Sequence, residues 1–319
     1  MVDQLIKYSI IAPVYNEEET LTEFYNRVLS VMDSLDGLSE LLLIDDGSTD
    51  ASLDLMRGFQ QQTSLVRVIS FSRNFGHQVA ITAGIDYAIG DAVIVIDADL
   101  QDPPEVIPEL VAQWQEGFEL VLAVRSMRKG ESWFKRTTAS FFYRLINKLT
   151  DLHIPKDSGD FRLMDRKVVE ALREVREQHR FMRGLSVWVG FRHTQVEYVR
   201  NERFAGISKY PLKRMLNFAT DGITSFSHVP LQLAMSMGFI FAGIALLGIP
   251  AIITLRFSGS REFFGQATTL VSVLLLGGVQ LICLGIVGEY LGRIYNEVRR
   301  RPLYLISGQW GFDSDDQKN

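Results

Sequence analysis

The chain has 319 residues, 47% of them hydrophobic, a net charge of −5 and one cysteine. That length holds one α/β domain with chain to spare. The negative balance argues against nucleic-acid binding, which needs a basic surface, and the lone Cys283, set in an apolar run, rules out an intrachain disulfide framework and reads as a packing residue. Met1–Lys7 lacks the basic-then-apolar pattern of a secretory leader. Tyr8–Val14 is expected to form a first buried strand closed by Pro13. The acid-rich run from Asn16 and Glu17 to Thr20 suits the positive end of a helix dipole. That helix should reach about Leu35, with Leu21, Phe24, Val28 and Val31 on one face and Gly37 ending it.

Glu40–Ile44 reads as a second strand, followed by Asp45-Asp46-Gly47-Ser48-Thr49-Asp50 and a helix over Ala51–Gln61. Turn and capping chemistry would account for these acids without any catalytic role. Val66–Phe71 is a third strand; Arg73, Asn74, Phe75, Gly76 and His77 form its exit loop, and a helix follows from Gln78 to Ile89. Ala92–Ile96, apolar and mostly β-branched, is a strand buried on both faces. It ends in Asp97-Ala98-Asp99, and Pro103 and Pro104 stop it. Carboxylates at i and i+2 share one side of an extended chain, a costly arrangement unless a cation lies between them. Carboxylate oxygens suit Mg²⁺ or Mn²⁺, which could in turn hold substrate phosphates. The plainer alternative is a capped turn before the helix Glu105–Trp114.

With a strand at Glu119–Val124, the alternation predicts right-handed βαβ units in a mostly parallel sheet. Ligands bind beyond the C-terminal strand ends of such sheets. Asn16, Glu17, Asp45, Asp46, Arg73, Asp97 and Asp99 all fall there, which favours a metal–phosphate site. No Gly-x-Gly-x-x-Gly or Gly-Lys-Ser/Thr phosphate loop is present, which argues against a dinucleotide oxidoreductase or a P-loop ATPase. Arg125, Arg128, Lys129, Lys135 and Arg136, with Trp133 and Phe134 among them, read either as a solvated face or as an anion-binding segment. The helix Thr137–Leu149 could pack on the sheet or lie on a bilayer. Asp157 to Arg162 reads as a turn into a helix at Arg166–Val175, with the acids as caps or as further carboxylates near the site. The five histidines, His77 included, show no ligand spacing and read as structural or exposed.

Two apolar runs, Leu231–Leu255 and Thr268–Val287, are each long enough for a hydrocarbon layer of about 30 Å. Their glycines permit close helix approach, and hence association into a homo-oligomer, a tetramer among the options. Lys209, Lys213 and Arg214 precede the pair and Arg293 and Arg299–Arg301 follow it, so the positive-inside rule puts both termini in the cytoplasm. The expected division is a cytoplasmic catalytic domain over 1–208, interfacial amphipathic helices over 209–229, two membrane helices over 230–292 and a cytoplasmic tail over 293–319.

Six motifs together resemble glycosyltransferase family 2, in its polyprenyl-phosphate branch of bactoprenol glucosyltransferases and dolichyl-phosphate mannose synthase. They are Pro13-Val-Tyr-Asn-Glu17, Asp45-Asp-Gly-Ser48, Arg73-Asn-Phe-Gly76, Asp97-Ala-Asp-Leu-Gln-Asp-Pro103, Asp157-Ser-Gly-Asp-Phe-Arg162 and Arg203-Phe-Ala-Gly-Ile-Ser-Lys-Tyr210. The resemblance implies an A-type, Rossmann-like glycosyltransferase domain with a two-helix membrane hairpin at a plasma or inner membrane. It implies inverting transfer of a sugar, glucose from UDP-glucose first among the donors, to undecaprenyl or another polyprenyl phosphate. GDP-mannose, UDP-galactose and a UDP-aminoarabinose remain as donors. A processive polysaccharide synthase remains as a different enzyme, although its Gln-x-x-Arg-Trp motif is absent. By the same resemblance Pro13, Asn16, Glu17 and Asp46 bind the nucleotide, and Asp97, Asp99 and Gln101 hold the metal and donor diphosphate. Arg203 and Lys209 contact the diphosphate; Arg125, Arg136 and Ser140 grip the lipid phosphate. Asp157 is the shared acid of its motif, with Asp160 beside it.

Overall fold

The computed structural model describes residues 6–126, 158–199, 227, 229–257 and 266–312. The chain divides into two compact units, one of residues 1–219 with 302–319 and one of residues 220–301.

The first unit alternates β1 (Ile6–Val14), α1 (Leu21–Ser34), β2 (Leu38–Asp45), α2 (Ser52–Gln62), β3 (Val66–Phe71), α3 (His77–Tyr87) and β4 (Ala92–Val95). A short 3₁₀ turn at Pro104–Val106 leads into α4 (Ile107–Gln115) and β5 (Leu120–Arg125). Then come β6 (Ser158–Asp165), α5 (Arg166–Glu174), α6 (Met182–Trp188), β7 (His193–Tyr198) and, late in the chain, β8 (Ile306–Trp310). One eight-stranded sheet has the order β7-β5-β6-β4-β1-β2-β3-β8. β1 pairs in parallel with β2 and β4, β2 with β3, and β5 with β7. β6 lies antiparallel between β4 and β5, and β8 antiparallel on β3. The mostly parallel α/β sheet expected from the alternation is therefore present.

The central strands are apolar because both faces are covered: Ile10, Ile11, Leu41, Leu42, Ile44, Val93 and Ile94 are fully buried. α1 turns Leu21, Phe24, Val28 and Val31 inward, with Tyr25 and Met32 beside them. α3 lies tight on the sheet at Gly84, where a Cβ would stand 2.2 Å from Ile11 Cγ2. Five parallel strands end on one side, at Val14, Asp45, Phe71, Val95 and Arg125, and β7 ends there at Tyr198. β6 runs the other way, so its first residues, Ser158 to Asp160, lie at that same edge.

Two readings change. The segment from Ser158 to Arg162 is a strand, not a turn, because Phe161 and Leu163 join the core on one face while Asp160 and Arg162 are buried with partners on the other. The stretch after the last helix is no free tail. It returns to the sheet as β8, where Tyr304 stacks on Phe71 at 5.1 Å and donates a 2.8 Å hydrogen bond to Asp86. The helix expected over Thr137–Leu149 lies outside the described residues, as do residues 209–226 of the expected interfacial helices.

The second unit contains α7 (Val229–Phe257) and α8 (Gln266–Arg299). Tyr290 donates to the Ser227 carbonyl at 2.6 Å, and Cys283 Sγ lies 3.7 Å from the Ala234 carbonyl, so the helices run in opposite directions. Among the described residues one stretch, Leu275–Arg299, is long and apolar enough to cross a membrane; α7 contributes the shorter apolar stretch Val229–Ile244.

Candidate active site at the strand ends

The loops after β1, β2 and β3 are tied together by acids and amides. Asn16 takes a positive φ of 54° as the chain leaves Pro13 and Val14. Its N–H donates to Ser48 Oγ at 3.1 Å and its side-chain oxygen accepts from the Thr49 N–H at 2.8 Å. The Glu17 carboxylate accepts from the Thr20 hydroxyl at 3.0 Å, at the start of α1. Asp45 accepts from the Ser48 N–H at 2.8 Å and the Ser70 hydroxyl at 2.7 Å. Asp46 accepts from the N–H groups of Phe75 at 2.7 Å and Gly76 at 3.0 Å, shaping the loop before α3. Gly76 has φ 106°, a conformation only glycine adopts readily. A Cβ on Gly47 would lie 2.5 Å from the Arg73 backbone, so these two loops meet backbone to backbone. Burial raises the Asp46 carboxyl above its ordinary range, against the opposing pull of the Phe75 and Gly76 amides.

That loop delivers His77. Its Nε2 lies 3.3 Å from Asp97 Oδ1 and 3.4 Å from Asp160 Oδ2. Ala98 and Leu100 bury into the core while Asp97 and Asp99 remain partly exposed in the turn that follows β4. Asp97 Oδ1 is buried and accepts no hydrogen bond. Asp99 accepts from the Gln101 N–H at 3.1 Å and from its side-chain amide at 2.5 Å. Burial drives the Asp97 carboxyl up, His77 pulls it down, and Asp160, Asp102 and Asp99 push it up again, leaving it at about 6. Burial lowers His77, but Asp97 and Asp160 outweigh it and raise the imidazole to about 9.

Asp160 anchors the far side. Arg183 grips it in a fork, Nε to Oδ1 at 3.0 Å and Nη2 to Oδ2 at 2.8 Å. Burial opposes ionisation of Asp160, yet Arg183 and His77 hold its carboxyl well below the usual range. Arg162 beside it is buried and donates to the carbonyls of Gly159 at 2.8 Å and Met182 at 3.0 Å, and to the Ser186 hydroxyl. Burial pulls its guanidinium down to about 10, still charged at neutral pH.

The structure thus brings Pro13, Asn16, Glu17, Asp46, Asp97, Asp99, Gln101 and Arg125 to one edge of the sheet. Asp157, Arg136, Ser140, Arg203 and Lys209 lie outside the described residues. Among the described residues no group of three or more His, Cys, Asp or Glu forms a ready metal cage. The donor set still fits a hard cation. A Mg²⁺-type site takes one or two carboxylates and completes its shell with substrate phosphates and water, and Asp97 offers a buried oxygen that accepts no hydrogen bond. His77, expected to be structural or exposed, is exposed and is also shared by two acids of this edge. Its position directly after the Arg73–Gly76 motif, at a strand end, was the signal available. Arg183 and Tyr198 offered no such signal.

Residues 9–173 match glycosyl transferase family 2. The bactoprenol glucosyl transferase of the SfII prophage of Shigella flexneri is 47% identical over 303 residues, covering 94% of this chain and 97% of its own. The glycosyltransferase YkcC of Bacillus subtilis (strain 168) is 50% identical over 309 residues, covering 97% of this chain and 96% of its own. Among solved structures, the glucosyl-3-phosphoglycerate synthase of Mycobacterium tuberculosis aligns with 69% of this chain and 76% of its own, at 22% identity and a TM-score of 0.49.

Proposed function

The chain belongs to glycosyltransferase family 2, and from that premise we propose that it transfers glucose from UDP-glucose to a polyprenyl phosphate such as undecaprenyl phosphate. The observation that carries this reading is the near full-length likeness to the bactoprenol glucosyl transferase of Shigella flexneri. A phosphate oxygen of the lipid attacks the anomeric carbon; the bond from that carbon to the diphosphate oxygen breaks; UDP leaves and the anomeric centre inverts. The second ionisation of a phosphate monoester lies at about 6, so the nucleophile is already charged at neutral pH. No residue is then required to remove a proton, and Asp157 serves to orient groups.

The heavier demand is charge developing on the leaving diphosphate. A bound Mg²⁺ or Mn²⁺ would supply neutralisation there. Asp97 and Asp99, with Gln101 bracing Asp99, would hold it; Arg203 and Lys209 would contact the diphosphate. Pro13, Asn16, Glu17 and Asp46 would frame the nucleotide. Arg125, Arg136 and Ser140 would hold the acceptor phosphate. The isoprenoid tail of the acceptor demands a membrane. Leu275–Arg299 has the length and apolarity to cross one, and apolar side chains such as Phe239, Leu247, Leu281 and Leu284 are exposed on the two long helices. We read α7 and α8 as a membrane hairpin with the catalytic domain and both termini cytoplasmic, on the flanking positive charges.

The test is a donor panel. Full-length protein in detergent receives undecaprenyl phosphate, Mg²⁺ or Mn²⁺, and labelled UDP-glucose, UDP-galactose, GDP-mannose or a UDP-aminoarabinose in turn. Label passing from UDP-glucose into the organic phase is the expected result. A preference for another sugar would move the donor assignment, and transfer from none would overturn the function.

A further inference from the structure

Arg125, at the end of β5, is held by Tyr198 and by Asp102, which lies within the Asp97–Pro103 motif but has been given no role so far. Asp102 is fully buried, and Tyr198 is 4% exposed. The Tyr198 hydroxyl donates to Asp102 Oδ1 at 2.5 Å and accepts from Arg125 Nε at 3.2 Å. Arg125 Nη2 lies 3.5 Å from Asp102 Oδ2. The backbone braces the same corner: Arg125 pairs with Tyr198 across the sheet, and the Ser126 N–H donates to the Tyr198 carbonyl at 2.8 Å. A third wall is Gly159, where a Cβ would stand 2.8 Å from Arg125 Nη2. Nε and Nη2 are thus engaged, while the side chain stays 27% exposed and Nη1 has no partner among the described residues.

A buried acid–guanidinium pair adds little stability over apolar packing of the same volume, so its presence needs another reason. A guanidinium recognises a phosphate through a planar fork whose orientation must be set in advance. Asp102 also acts electrostatically on Asp97, and Arg183 on Arg125, so the cluster neighbours the acids of the strand-end site. We propose that Asp102 and Tyr198 are positioning residues that aim the Arg125 guanidinium at the phosphate of the lipid acceptor. The inference rests on the polyprenyl-phosphate reading above.

The test is steady-state kinetics of the full-length enzyme with polyprenyl phosphate and UDP-glucose varied separately. Tyr198→Phe keeps the ring, which packs edge-on against Phe161 at 5.8 Å, and removes only the hydroxyl. It is expected to raise the acceptor KM by about five- to tenfold, the loss of one or two hydrogen bonds to a charged group, while the donor KM holds. Gly159→Ala presses on the guanidinium at Nη2 with Asp102 and Tyr198 intact, and should give the same acceptor-specific rise. In an Arg125→Ala background, Tyr198→Phe should add nothing further. Equal changes in both KM values, or full additivity in the double variant, would show that Tyr198 merely supports the fold and would overturn the inference. An unmoved acceptor KM in Arg125→Ala itself would instead overturn the acceptor-site reading on which it rests.

Discussion

Two pairs of acids end the two strands that flank β1: Asp45 with Asp46 after β2, and Asp97 with Asp99 after β4. The residue type and the topological position are the same, but the surroundings differ. Asp45 and Asp46 are saturated by donors, from Ser48, Ser70, Phe75 and Gly76, and so build loops. Asp97 keeps a buried oxygen without a hydrogen bond, faces His77 at 3.3 Å, and its burial, joined by neighbouring acids, lifts its carboxyl to about 6. Strand-end acids therefore divide by the donors their loops supply. Donors from the loops leave Asp45 and Asp46 shaping those loops, whereas Asp97, with a buried oxygen left to an imidazole or a cation, is poised for charge.

Substitutions can break this contrast, and the largest effect belongs to β4. Asp97→Asn should lower kcat/KM for glucose transfer by about 10³-fold or more, on the scale of removing a key electrostatic group. Its melting temperature should not fall, because the fold disfavours the ionised form of this buried acid. Loss of stability in parallel with activity would erase the distinction between the two pairs. Asp45→Ala should do the reverse. It leaves the Ser48 amide and Ser70 hydroxyl without their acceptor and should cost about 1–3 kcal/mol in denaturant unfolding, with a far smaller loss of kcat/KM than Asp97→Asn.

A pH series sharpens the electrostatic half. The raised His77 pKa means that its protonated form stabilises the fold fully below its ordinary value of 6.5, and that this contribution is lost as pH rises through about 9. In the absence of divalent cations, stability should decline across that window, and His77→Gln should flatten the decline. An unchanged slope in His77→Gln would remove the imidazole from the network. The smallest effect is expected at the returning strand: Tyr304→Phe keeps the stack on Phe71 but loses the bond to Asp86, costing about 1 kcal/mol.

The βαβ alternation from β1 to β5 was legible because its strands are continuous apolar runs between turn residues. The acids at their ends were legible for the same reason, since a carboxylate closing a buried strand stands out. β6 was not, because its second face is polar and satisfied within the fold: Asp160 and Arg162 answer each other and Arg183, so its alternation looks like a turn rich in charge. β7 is an edge strand with His193 and Glu197 exposed, and β8 follows two long helices, so only tertiary pairing reveals them as parts of one sheet. A lone histidine such as His77 and a strand-end tyrosine such as Tyr198 carry no spacing signature. Their partners come from the residues just after β4, from β5 and β6, and from the turn at Asp102, which proximity in sequence does not predict.

The central claim meets its most direct test in the organic phase of a two-phase extraction. Full-length wild type and Asp99→Ala, matched for melting temperature, are each incubated with labelled UDP-glucose, undecaprenyl phosphate and Mg²⁺. The account predicts lipid-borne glucose from the wild type and almost none from Asp99→Ala; equal labelling by the two proteins would contradict it.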